Sequence, residues 1–140
     1  MNLLLWLWLG VWPGAGEIRL SISTSLPGQG KVHIAIFDDA ASFDARQPMR
    51  FSKVATTPRT GPLSLSVPGL PAGRYAVAVF QDLNANGKLD TNAMGIPQEP
   101  YAFSRNPRAK WRAPDYEEAV FSYNGGNITQ EIRLKSWSER

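Results

Sequence analysis

The stretch VPGLPAGRYAVAVFQD, residues 67–82, decides the fold. Pro68, Gly69, Pro71 and Gly73 end one extended segment and start the next, since proline fixes φ without an N–H and glycine admits positive φ. From Tyr75 onward successive side chains point to opposite faces, so Tyr75, Val77 and Val79 share one side and turn toward a core. The same two-residue period recurs on both sides of this stretch. Ile18, Leu20 and Ile22 lie opposite Arg19, Ser21 and Ser23; Val32, Ile34 and Ile36 repeat the pattern, as do Leu63, Leu65 and Val67. Residues 120–123 and 128–134 follow, separated by Asn124-Gly125-Gly126-Asn127, a turn suited to a hairpin. With a further candidate over residues 51–56, the pattern predicts an all-β chain, a single antiparallel β-sandwich of about seven strands. Eleven prolines oppose a helical alternative. The best candidate for a helical turn is residues 38–46.

The chain has 140 residues and an apolar fraction of 43%, which suits one globular domain. Residues 3–12 form an apolar run too short for a membrane-crossing helix of about 20 residues. Small residues follow it, so residues 1–16 are expected to be a secretory signal peptide cleaved near Ala15 or Gly16, with 17–140 as the mature domain. No Lys or Arg precedes Leu3. An uncleaved leader or an apolar N-terminal strand are the alternatives. A periplasmic or secreted location follows from the first reading, and no other segment is long and apolar enough to span. Cysteine is absent and there is one His, which excludes disulfides and the usual zinc ligand sets. The net charge of +3 is mild; Arg105, Arg108, Lys110 and Arg112 concentrate it, without the aromatic series or motif of a nucleic-acid binder.

From Asp82 the residues run Asp82, Asn84, Asn86, Gly87, Lys88, Asp90: oxygens at positions 1, 3 and 5, glycine at 6, a backbone carbonyl at 7 and a carboxylate at 9. Ca²⁺ takes six to eight oxygens at about 2.3–2.6 Å, and a loop wrapping it turns alternate side chains inward. Position 12, where an EF-hand supplies a bidentate Glu, is Ala93, so the loop is not an EF-hand. Glu99, returning through Gly95-Ile96-Pro97-Gln98, is a candidate to close the shell, as are Asp90 and the Asn92 carbonyl. Two carboxylates and two amides give a weak site, with Kd about 10⁻⁴ to 10⁻³ M, useful where calcium is plentiful. The competing reading is a turn rich in Asn and Asp because these residues bond their own backbone.

Two resemblances follow from these residues. GLPAGRYAVAV resembles the hairpin of prealbumin-like and carboxypeptidase-regulatory-like sandwiches, which implies a prealbumin-like or Ig-like arrangement. The ordered series Gly73 to Phe80, Asp82 to Asp90, Gly95 to Glu99, Tyr101 to Asn106 and Ala119 to Phe121 resembles DUF2141, a bacterial family of exported proteins. Gln81 stands where that family often has His, and Ala102 where it has Gly. The resemblance implies an exported β-sandwich and no particular reaction.

The function expected is that of a non-catalytic exported sandwich whose calcium-bearing loop presents a surface to an extracellular glycan or an envelope protein. Tyr101, Phe103, Arg105 and Trp111 are the candidate contact residues, since aromatic and Arg side chains anchor recognition; Tyr101 and Phe103 have covering the core as their alternative. The second reading is a secreted hydrolase using carboxylates of the loop region. A triad through His33 lacks support, because His33 falls within a strand and no nucleophile elbow is present.

Overall fold

The computed structural model describes residues 16–140, so all of the expected leader but Gly16 lies outside them. In chain order the elements are β1 (Glu17–Thr24), β2 (Lys31–Phe37), α1 (Ala40–Ala45), β3 (Phe51–Thr56), β4 (Leu63–Pro68), β5 (Gly73–Asp82), β6 (Tyr101–Phe103), α2 (Tyr116–Ala119), β7 (Phe121–Tyr123) and β8 (Ile128–Leu134). They form a three-stranded sheet, β4-β1-β8, and a five-stranded sheet, β3-β2-β5-β6, in which β7 pairs with β5 beside β6. The chain is therefore all-β, with eight strands among the described residues. The eighth is β6, too short for a period to show in sequence. All pairings are antiparallel except β1 with β8, whose register runs from Ile18 opposite Ile128 to Thr24 opposite Leu134.

Alternation places the core. Ile18, Leu20 and Ile22 from one sheet and Val32, Ile34, Ile36, Val77 and Val79 from the other are fully buried in one cluster, so the two sheets face each other as a sandwich. Helix α1 forms within the expected 38–46 turn: the Asp39 carboxylate accepts the Ser42 N–H at 2.7 Å as N-cap, and Arg46, at φ 60°, ends it. Helix α2 was not expected, although Asp115 and Glu118 form a capping box around it.

Two turns read as hairpins are corners between the sheets. Residues 69–72 carry the chain from β4 in the three-stranded sheet to β5 in the other, and the Tyr75 hydroxyl donates to the Pro71 carbonyl at 2.6 Å, tying the corner. The Asn124–Asn127 turn likewise joins β7, paired with β5, to β8, paired with β1. The strand end holds it: the Gly16 N–H donates to Gly125 O at 3.1 Å and the Glu17 N–H to Asn127 Oδ1 at 3.0 Å. This contact is close enough that a Cβ at Gly16 would meet the Gly126 carbonyl at 2.2 Å. Because β8 leaves this turn beside the start of β1, the two strands run parallel. Phe121 and Tyr123 then fill the core from one sheet and Ile132 and Leu134 from the other.

Two polar side chains mend the sheet where β6 ends. Ser104, wholly buried, donates its N–H to Val77 O at 3.0 Å and accepts the Val77 N–H on Oγ at 2.9 Å, while its hydroxyl donates to Ala119 O at 2.5 Å. The Asn106 amide donates to Glu131 O and accepts the Arg133 N–H, each at 2.9 Å, linking this edge to β8.

Candidate functional site

β5 delivers Asp82 to the mouth of the loop, and the strand beside it fixes its orientation. Lys31 pairs with Asp82 and His33 with Phe80; the His33 ring stacks on Phe80 at 4.6 Å, and its Nε2 lies 3.1 Å from Asp82 Oδ2. Asp82 is 2% exposed. Its Oδ2 also accepts the Gly87 N–H at 2.9 Å, and its Oδ1 accepts the Asn86 N–H at 3.2 Å. Burial pushes this carboxyl's pKa up, but the Gly87 N–H, the His33 ring and the Asn86 N–H outweigh it and hold the group below the ordinary value. Ala85 and Gly87 at φ 59° and 80° produce the curl that brings these N–H groups back over the carboxylate.

At the loop's far end the carboxylate of Asp90 accepts from two amides: Asn84 Nδ2 donates to Oδ2 and Asn86 Nδ2 to Oδ1, each at 2.5 Å. Asn84 Oδ1 accepts the Asn86 N–H at 3.3 Å and Asn86 Oδ1 the Lys88 N–H at 3.2 Å. Glu99, 4% exposed, clasps the neck by accepting the Leu83 N–H at 2.6 Å on Oε2 and the Asp90 N–H at 3.0 Å on Oε1. The rest of the segment, residues 91–98, is a small ladder: Asn92 Oδ1 accepts the Met94 and Ile96 N–H groups, and Gln98 N–H donates to Asp90 O.

The spacing thus brings Asp82, Asn84, Asn86 and Asp90 together, with Glu99 at the neck. A carboxylate oxygen accepts about two hydrogen bonds, so Asp82 Oδ1 retains one site whereas Oδ2 is full. Turning the Asn84 and Asn86 amides end for end presents oxygen, not nitrogen, toward Asp90. The donor set then suits a hard cation, at the cost of the two N–H bonds those amide oxygens accept and the two that their nitrogens donate to Asp90. Among the described residues no group of three or more His, Cys, Asp and Glu gathers as a metal-holding cluster. A cation here would have two carboxylates, with amide and peptide oxygens, to rest on.

Beside the loop lies a hollow of about 800 Å³ over the outer face of the five-stranded sheet. Its floor follows from register: Ser52, Ala35, Ala78 and Phe103 stand in one row across β3, β2, β5 and β6, next to the row Val54, His33, Phe80 and Tyr101. Three small side chains between larger ones make a trough. Lys88 and Leu89 of the loop line it, as do Arg46 and Met49. The signal for this face was the run of residues 75–80, apolar at both parities, the mark of a strand covered on both sides.

The four expected contact residues do not form one surface. Tyr101 and Phe103, each 9% exposed, pack with Phe37, Phe43 and Tyr116 in a second cluster and line the trough's floor. Phe103 and Arg105 border a separate hollow of about 610 Å³ near the C-terminus. Trp111, 82% exposed, borders neither and meets Trp137 edge to face at 5.0 Å. Three of the four cations of the basic segment are locally partnered: Arg112 pairs with Glu118 at 2.6 Å, Arg105 donates to Glu117 O at 3.2 Å, and Lys110 sits 4.3 Å over the Trp137 ring. Gln81, at the position the resemblance gives to His, is fully buried; its amide donates to Leu26 O and Gln29 O at 2.8 Å and accepts the Thr24 hydroxyl. It ties down the turn between β1 and β2.

Among the described residues no helix is long and apolar enough to cross a membrane. Neither a curated protein nor a solved structure matches the chain. A family model described as "Uncharacterized protein conserved in bacteria (DUF2141)" matches residues 21–131, and the chain belongs to that family.

Proposed function

We propose that the protein is an exported, non-catalytic binding module in which the 82–90 loop takes one Ca²⁺ weakly and the adjoining face of the five-stranded sheet recognises a component outside the cytoplasm. The observation that carries the calcium reading is the gathering of the Asn84 and Asn86 amides on Asp90 at 2.5 Å each, with the Asn86 N–H on the carboxylate of Asp82, whose pKa is held below the ordinary value. The apolar run at residues 3–12 supports export. The carboxylates a hydrolase would need are engaged in fixing backbone: Asp82 binds two N–H groups and Glu99 two more. His33 is held between Asp82 and Phe80, an arrangement that orients the ring.

Thermal melting with millimolar Ca²⁺, with Mg²⁺ and with chelator tests the ion. At ten times Kd, calcium stabilises by about 1.4 kcal/mol, a rise of about 3–6 °C in Tm for a domain of this size. Asp90→Asn is the informative variant, because Asp90 contacts side-chain amides whereas Asp82 supports the loop's backbone. Loss of the calcium increment with the chelated Tm nearly unchanged is expected. An equal rise with Mg²⁺, or an undiminished calcium rise in Asp90→Asn, contradicts the site. Cell fractionation with an antibody to the mature domain checks export, and a cytoplasmic pool alone contradicts it.

A further inference from the structure

Among the described residues four arginines are ion-paired, and the cations of the trough are among those that are not. Arg19, Arg50, Arg74 and Arg112 each have a carboxylate within 4 Å. Arg46, Lys53 and Lys88, which line the trough, have none among the described residues, and no Asp or Glu lines it with them. Lys53 stands in register with Ile34 and so belongs to the inner side of β3, which leaves Arg46 and Lys88 as the charges that serve the outer face.

These two sit toward opposite ends of the trough. β2 and β5 are antiparallel, with Phe37 opposite Ala76 and Lys31 opposite Asp82; Arg46 follows the helix after β2, and Lys88 belongs to the loop after β5. The Arg46 guanidinium lies 4.4 Å over Phe43 and 5.3 Å from the Phe103 ring centre and donates to the Phe43 carbonyl. Its backbone is left-handed at φ 60°, an uncommon conformation for Arg. A guanidinium fixed on two aromatic faces, beside an apolar channel, with Asp44 near enough to act on its charge but no carboxylate within 4 Å, is a preformed anchor for one anion. The volume falls within the usual range for small-molecule sites.

We infer that the trough binds a free amphipathic anion, an unbranched acyl carboxylate whose chain lies along Ala35 and Ala78 and whose carboxylate pairs with Arg46. This rests on the reading of that face as the recognition surface and adds the ligand's chemistry. Polar and cationic ligands are disfavoured by the same features: the floor offers few polar groups, and both available charges are positive.

Calorimetric titration of the protein with decanoate and with decyltrimethylammonium, both below their micelle concentrations, separates the terms because the chains match and the charges are opposite. One equivalent of decanoate is expected, bound at least tenfold more tightly than the cationic analogue. Ala35→Leu fills the trough from the outer face without entering the sandwich core, and it should weaken decanoate at least tenfold with Tm little changed. Arg46→Gln should reduce the preference for decanoate over the cation at least fivefold, whereas Lys88→Gln should alter it less than twofold. Equal binding of the two amphiphiles overturns the anion assignment while leaving the face as a recognition surface. Undiminished decanoate binding in Ala35→Leu overturns both. Binding to phosphatidylglycerol vesicles with none to decanoate overturns the free-ligand assignment.

Discussion

The outer faces of the two sheets differ in chemistry. On the three-stranded sheet it is Arg19, Ser21, Ser23, Ser64, Ser66, Thr129, Glu131 and Arg133, the polar surface a half-buried sheet requires. On the five-stranded sheet it is His33, Ala35, Phe37, Ala76, Ala78, Phe80, Tyr101 and Phe103. A sandwich needs one apolar face per sheet, so the second apolar face on β2 and β5 is surplus to the core between the sheets. Part of it is roofed by α1 and α2, whose Phe43 and Tyr116 pack on Phe37 and Phe103. The remainder, between that roof and the 82–90 loop, is the trough. The difference makes one side of the molecule the candidate for recognition and leaves the other as solvated wall.

The largest effect should come from breaking the roof. Phe43 is fully buried and meets Phe37, Phe103 and Tyr116 at ring separations of 5.8 Å each. Phe43→Ala should cost about 3–5 kcal/mol in urea unfolding, as for other large aromatic truncations, and raise binding of an apolar dye. A cost under about 1 kcal/mol would mean that the apolar outer face has no structural roof.

Next comes the loop's anchor. Asp82→Ala leaves the Asn86 and Gly87 N–H groups and the His33 ring without their acceptor, an expected loss of about 2–4 kcal/mol, whereas Asp90→Asn should cost less than about 1 kcal/mol in chelator. The pH dependence follows from the same contacts. Because the folded carboxyl of Asp82 titrates below its ordinary value of 3.8, the unfolded chain binds its proton first as pH falls. Its contribution is complete above about pH 5 and lost as pH drops through the folded pKa. Asp39, Glu118 and Glu139 are also held low and share the acid limb. The fraction due to Asp82 is the difference between the native chain and Asp82→Asn in urea midpoints measured from pH 5 to 2.5; identical slopes would show that the buried carboxylate carries no linkage.

The smallest effect belongs to the polar face. Arg19→Ala removes an exposed ion pair with Glu17 at 3.3 Å and should change stability by no more than about 0.5 kcal/mol. A loss near that of Phe43→Ala would erase the distinction between the faces.

The strands were legible where one face is polar, because alternation in residues 17–24 and 63–68 admits a single register and Gly and Pro mark the ends. The corner at Asn124–Asn127 was not legible: turn chemistry specifies a reversal, whereas the partner strand depends on which sheet edge is open. β6 and α2 span three and four residues, too few for a period to show. The loop's oxygens were readable from local spacing. Its supports were not, because His33 comes from a neighbouring strand and Glu99 binds peptide groups at the neck. Ser104 and Asn106 look like ordinary loop residues until the ladder they complete is seen. The outer face had a signal that the alternation reading passed over, the double-parity apolar run at residues 75–80, which marks both faces as apolar without saying what lies on either.

The most direct measurement is the ¹H–¹⁵N spectrum of the labelled protein during calcium titration. Saturable shifts are predicted at the Asn86, Gly87, Lys88 and Asp90 amides, extending to Leu89, His33 and Phe80 at the trough, while Ser21, Ser66 and Thr129 on the polar face stay fixed. Amides of the loop that do not move at millimolar calcium, or shifts of equal size on both outer faces, would contradict the assignment of the functional side.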